Sequence, residues 1–178
     1  MPLCDPTKCY NVSVTIKRRR KPEKDLYEPI KKFLCSEFDA RYGNCYLERT
    51  DRRNPSEKVK EAIPKDKDII MAALPNKKPD LMGFYNDCGD KKLITVEIKL
   101  GAIKLEDVYQ AKLYGDLFSA KYALLISTVQ VPQLIKRLHK ALHIFNLSRG
   151  ERTIYIGQWQ GKPHNEVIKD SWCPDSPF

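Results

Sequence analysis

Pro79-Asp-Leu-Met-Gly-Phe-Tyr-Asn86 and Lys91-Lys-Leu-Ile-Thr-Val-Glu-Ile-Lys-Leu100 are two β-type runs on either side of Asp87-Cys88-Gly89-Asp90. Asp and Gly in a four-residue reversal between such runs predict a tight turn, and so a β-hairpin. With Cys88 and Gly89 as a two-residue loop, Asp87 pairs with Asp90, and the same register sets Asp80 directly opposite Glu97. Opposed residues on an antiparallel pair have Cβ atoms roughly 5 Å apart, so two carboxylates there repel unless a cation lies between them. Period-2 alternation puts Lys99 on the face of Glu97, one pleat further on. That parity holds for any loop length, whereas a three- or four-residue loop would break the opposition of Asp80 and Glu97.

Helical spacing flanks the hairpin on both sides. Leu105, Val108, Leu113, Leu117 and Phe118 predict an amphipathic helix over 104–120, in which Gln110 and Tyr114, four apart, share one face. Leu26, Ile30, Phe33, Leu34 and Phe38 predict a first helix from Pro22 to about Arg41, closed by Gly43. Pro29 inside it lacks a backbone donor, which predicts a kink or a late start.

Pro79-Asp80 followed by Glu97-Ile98-Lys99 resembles the signature of the PD-(D/E)xK nuclease superfamily, the restriction-endonuclease-like fold that includes Holliday-junction resolvases and RecB-type exonucleases. Gln110-Ala-Lys-Leu-Tyr114 is similar to the Q-x-x-x-Y motif of the RecB-type branch. Glu23-Lys-Asp-Leu-Tyr-Glu-Pro29 is similar to the E-x-D-L-Y-x-P opening of a prokaryotic group taken to be phosphodiesterases. The resemblance spans roughly Pro22 to Ser127. It implies Mg²⁺, with Mn²⁺ as a substitute, held by Asp80, Glu97 and the Ile98 carbonyl. Glu23 of the first helix is the implied further contact, with Glu28 in reserve, and Lys99 orients or deprotonates the attacking water. Gln110 is a candidate to hold a water or a phosphate oxygen near the metal. Plainer readings stand beside these: Glu23 as an acid favoured by a helix N-terminus, Gln110 as a half-buried amide, Tyr114 as a packing ring.

The chain has 178 residues, about one domain by length, and 32 Lys and Arg against 23 Asp and Glu give a net charge of +9. A basic excess of this size fits a protein that faces a polyanion, with nucleic acid, DNA ahead of RNA, as the expected partner. Arg18, Arg19 and Arg20 within the five-residue basic run Lys17 to Lys21, and Arg49, Arg52 and Arg53, are the candidate phosphate contacts, with Tyr114 beside them. A solvated basic surface explains the same charges. The polar stretch Asp51 to Asp68 is a candidate flap over DNA. A homodimer is compatible with the sequence. No apolar run approaches the ~20 residues of a membrane span and no signal-peptide pattern opens the chain, so a cytoplasmic protein without a membrane partner is expected. Six scattered cysteines then predict mostly free thiols, and His139 and His143, at i and i+4, predict an ordinary helix surface.

The remaining pattern sets the organisation. Asn44 to Thr50 reads as a strand, and Tyr122 to Thr128 as a central strand covered on both faces. A helix should open at Pro132, bury Leu134, Ile135, Leu138, Leu142 and Phe145, and end at Gly150. Arg152 to Gln160 reads as a final strand, with Trp159 packing rather than stacking on a base. Ile69 to Leu74 is ambiguous between strand and helix. The fold class is therefore α/β, a mixed central sheet flanked by helices, which the resemblance specifies as a restriction-endonuclease-like sandwich. The expected domain is 22–160, between a basic extension (1–21) and a Pro-rich tail (161–178). The expected activity is Mg²⁺-dependent hydrolysis of phosphodiester bonds, most simply a deoxyribonuclease. The rival is a non-catalytic nucleic-acid-binding module that keeps the same fold.

Overall fold

In chain order the elements are a 3₁₀ turn (Glu23–Leu26), α1 (Tyr27–Tyr42), β1 (Tyr46–Arg49), α2 (Glu57–Lys60), β2 (Leu81–Asp87), β3 (Asp90–Lys99), α3 (Leu105–Leu117), β4 (Tyr122–Ser127), α4 (Gln133–Leu142), β5 (Ile154–Gln160), β6 (Glu166–Val167) and a 3₁₀ turn (Lys169–Ser171). This is a computed structural model, and it describes residues 23–64, 69–70, 78–148 and 152–178. The basic extension with Arg18, Arg19 and Arg20, two of the six cysteines, most of Ile69 to Leu74, and Gly150 lie outside the described residues.

The turn at Cys88 and Gly89 has positive φ at both positions, 50° and 95°, the backbone of a two-residue hairpin loop whose twist matches that of its strands. From it β2 and β3 pair antiparallel, from Asp87 opposite Asp90 to Leu81 opposite Val96. That is the expected register. β1 closes on the far side of β2, and at Gly83 the strands come so near that a Cβ would lie 1.8 Å from the Tyr46 carbonyl oxygen. β3, β4 and β5 run parallel and β6 returns antiparallel, giving one six-stranded mixed sheet in the order β1-β2-β3-β4-β5-β6. Every residue of β4 is buried, as a continuous apolar strand inside a parallel region requires.

Alternation along β3 assigns its two faces. Ile94, Val96 and Ile98 pack with Tyr27, Ile30, Leu34 and Phe38 of α1. Leu93 packs with Tyr114 of α3, and Ala123 and Leu125 of β4 with Val108 and Ala111 of α3. Helices therefore cover both faces, each closed by several fully buried side chains at about 1.5–3 kcal/mol apiece. α1 begins at Tyr27, so Pro29 falls in the first turn, where its missing N–H costs nothing; the late start is the outcome, and Gly43 closes the helix.

Three expectations need correction. α4 ends at Leu142 because His143 turns left-handed (φ 51°), and Phe145 folds back beyond the helix to stack on the His139 ring at 4.1 Å. Leu134 and Leu142, expected in the buried stripe, are 65% and 66% exposed. Residues 161–178 are part of the fold: β6 extends the sheet and Val167 and Trp172 close the core under α1. Apart from these, the polar stretch after Asp51 carries α2 and its following turn, where Val59 and Ile63 are buried against Met82 and Phe118. Among the described residues no helix is long and apolar enough to cross a membrane.

Candidate functional site

The open end of the hairpin, opposite its turn, gathers the predicted acids. Asp80 stands one residue ahead of β2, and the end of β1 fixes its backbone: the Thr50 amide donates to the Asp80 carbonyl (3.0 Å) and the Thr50 hydroxyl to the Pro79 carbonyl (2.5 Å). Both carboxylate oxygens of Asp80 are engaged. Oδ1 accepts from the Tyr27 hydroxyl at 2.7 Å and Oδ2 from the Ile98 amide at 2.8 Å. Burial raises the Asp80 carboxyl above the usual range, although the Tyr27 and Ile98 bonds and the Lys99 charge oppose it.

Glu97 lies on the α3 face of β3 and is 2% exposed. Its Oε2 is 3.5 Å from Lys99 Nζ, while its Oε1 is buried and has no hydrogen-bond partner. Burial and then the charge of Asp80 push its carboxyl up to about 8, with Lys99 pulling the other way. An unpaired carboxylate oxygen in such a place costs on the order of 1–3 kcal/mol or more. A proton or a cation would complete this group.

Lys99 is held from three sides. Besides Glu97, its Nζ donates to Gln110 Oε1 at 3.3 Å and lies 3.7 Å from Asp107 Oδ1. Asp107 is doubly used, since its Oδ2 accepts the Lys104 amide and so caps α3. Burial depresses the ammonium, but Glu97, Asp107, Asp80 and Glu23 outweigh it, and the net shift of Lys99 is upward. With no cation present, Lys99 is therefore a charge and a donor rather than a base.

Gln110 also bonds the Tyr114 hydroxyl. Tyr114 itself is 2% exposed, so it packs under the cleft and presents only an edge to it. The cleft, about 490 Å³, is lined by Asp80, Gln110, Tyr109, Leu113, Lys78 and Asp51 among others. Glu23 reaches the same end of the sheet through the 3₁₀ turn, where its Oε2 accepts the Leu100 amide at 3.3 Å. Glu28 pairs with Lys31 at 2.6 Å and faces a neighbouring groove of about 510 Å³.

That groove holds the predicted arginines. Arg49 grips Asp51 through two bonds of 3.2 and 3.3 Å and lies 4.7 Å over the Tyr27 ring. Arg52 and Arg53 are largely exposed and lie 3.8 and 3.7 Å from Asp51 and Glu48. Asp51 borders both groove and cleft.

Sequence reasoning gave no role to Tyr27, Thr50, Asp51 or Asp107. Tyr27 lies four residues after Glu23 on the same helical face, a spacing that could have singled it out; the others join the site only through tertiary contacts. As a metal site the donor set is suitable. Asp80, Glu97 and the Ile98 carbonyl are hard oxygen donors, and Glu97 Oε1 is free. Among the described residues no three His, Cys, Asp or Glu side chains form a ready cage. Two carboxylates with water completing the shell are the usual holding of Mg²⁺, whereas Ca²⁺ takes more protein oxygens. No family model, curated protein or solved structure matches the chain.

Proposed function

We propose that the chain is a Mg²⁺-dependent phosphodiester hydrolase of the PD-(D/E)xK type, built on the restriction-endonuclease-like sandwich and acting on nucleic acid, DNA first, in the cytoplasm. The observation that carries this reading is Glu97 Oε1, buried without a partner beside Asp80 and within one side chain of the Lys99 ammonium. Asp80, Glu97 and the Ile98 carbonyl would hold the cation, with Glu23 next to them. When bound it would supply Lewis-acid stabilisation of a phosphoryl oxygen and a more acidic water.

The protein's own groups then divide the work. Tyr27 and the Ile98 amide keep the Asp80 carboxylate in one orientation. Lys99, tethered by Gln110 and Asp107, places a positive charge where a phosphate accumulates negative charge. The exposed Arg52 and Arg53 contact backbone phosphates, without reading sequence.

A second reading has its own support. Both Asp80 oxygens are already occupied, as in a site kept for architecture, and the chain would then bind nucleic acid without cutting it. Incubation with labelled linear, nicked, branched and single-stranded DNA and RNA, in Mg²⁺, Mn²⁺ or EDTA, separates the two. Metal-dependent cleavage is the expected result; salt-sensitive binding with no cleavage on any substrate selects the second reading.

A further inference from the structure

α1 and the approach to β1 bring two sulfurs together, remote from the acids of the cleft. Cys35 Sγ and Cys45 Sγ are 3.6 Å apart across the reversal at Gly43 and Asn44. Both are free thiols and both are partly open to solvent. A disulfide needs a sulfur separation of about 2.05 Å, so roughly 1.5 Å of approach joins them. Cys45 stands outside both regular elements, with its amide donating to Asp39 Oδ1 at 2.5 Å, so the closing approach falls mainly to side-chain rotation.

The surroundings treat the two sulfurs differently. Cys35 accepts from the Cys45 thiol and from the Leu47 amide, and Lys31, one turn earlier on α1, adds positive charge. The Cys45 hydrogen bond leads, and the Cys35 thiol is lowered despite burial and the nearby Asp39. Cys45 is pushed up by that same bond and by burial, so it retains its proton. A thiol whose ionisation is eased, 3.6 Å from a second thiol, is an attacking group beside its resolving group.

We propose that Cys35 and Cys45 form a thiol–disulfide exchange site that takes its oxidising equivalents from small disulfides of the glutathione class. The Cys35 thiolate attacks one sulfur of the small disulfide. The S–S bond breaks and one thiolate leaves, taking up a proton from solvent. Cys45 then loses its proton and attacks the Cys35 sulfur of the mixed disulfide, forming the Cys35–Cys45 bond. The second small thiolate is expelled and protonated by the proton that Cys45 released. Two protein thiols are oxidised and one small disulfide is reduced to two thiols. The product ties α1 to the start of β1, and it does not depend on the chemistry proposed for the cleft.

The test is a cysteine map of the folded full chain. The protein is incubated with glutathione disulfide, blocked with iodoacetamide, digested and read by mass spectrometry. A Cys35–Cys45 linked peptide, lighter by two hydrogens and lost on treatment with dithiothreitol, is expected. Cys45→Ser should stop at glutathione on Cys35, and Cys35→Ser should form neither product at this pair. The wild-type map needs no variant to fold, and exposed Cys88 serves as the reagent control. If Cys35 and Cys45 both stay open to alkylation while Cys88 carries glutathione, or if either couples to another cysteine instead, the proposal is overturned.

Discussion

The two ends of the β2–β3 hairpin both bury polar side chains, and they finish them differently. Near the turn, Tyr85 lies 4.4 Å from Tyr42 and 5.7 Å from Tyr122, ring to ring, and the Tyr42 and Tyr122 hydroxyls meet at 2.6 Å. Burial, with neighbouring tyrosines adding to it, raises the hydroxyls of Tyr85 and Tyr122, so both stay neutral and need only a hydrogen bond. At the open end, the charge of Asp80 reaches Glu97, one ammonium lies 3.5 Å from Glu97, and Glu97 Oε1 has no partner. The Tyr42 and Tyr122 hydroxyls satisfy each other, whereas Glu97 Oε1 is met by no group of the protein. Leaving a buried carboxylate open is then a mark of something taken from solution.

The sharpest test of this contrast is Lys99→Met, which keeps most of the side-chain length and removes charge and donors. DNA binding should persist while cleavage falls by a factor on the order of 10² or more. A variant that cuts at the wild-type rate would move the chemistry away from the open end. Tyr27→Phe comes next, because it deletes the 2.7 Å bond to Asp80 and leaves the ring under Arg49. Titration of Mg²⁺ or Mn²⁺ should show affinity lower by about 10- to 100-fold, the usual cost of a lost partner behind a metal ligand. Unchanged affinity would make Tyr27 as architectural as Tyr42.

A third prediction concerns pH. The Glu97 carboxyl is raised from 4.5 to about 8 in the folded chain, so the folded state binds a proton that the unfolded state has released. Without metal, that contribution is full below 4.5 and is lost as pH rises through about 8, so stability should fall across this window. Glu97→Gln should flatten the fall, read by chemical denaturation at several pH values in EDTA. A slope that persists in the variant assigns the proton to Asp80, whose carboxyl is also raised. The smallest effect belongs to the turn end: Tyr42→Phe should cost about 0.5–1.5 kcal/mol of stability. A loss of metal affinity in that variant would show that the two ends are not independent.

What could be read from the sequence follows from how local each cause is. The hairpin register was legible because Cys88 and Gly89 allow the two positive φ values that a two-residue loop demands, and register then places Asp80 and Glu97. Lys99 and Gln110 were legible as periodicity. Tyr27 shares a helical face with Glu23, but its bond to Asp80 spans 53 residues and leaves no local signal. The exposed Leu134 and Leu142 misled because α4 has a helical pattern running past its end, and only the left-handed turn at His143 reveals that Phe145 returns to the core on its own. The Pro-rich composition of the closing segment predicts a tail, yet Val167 and Trp172 belong to the core that α1 and the sheet share.

The Phe38 ring has consequences for how this protein is made. It packs against Tyr85 and Tyr122 in the sheet, and also edge-on against Phe178 at 5.1 Å. Chains are synthesised from the N-terminus at about 5–20 residues per second, so α1 emerges several seconds or more before the ring that closes over it. During that interval the sheet can already cover Ile30 and Leu34, while the side of the Phe38 ring that meets Phe178 stays open. The first helix to be made is among the last parts of the core to be sealed.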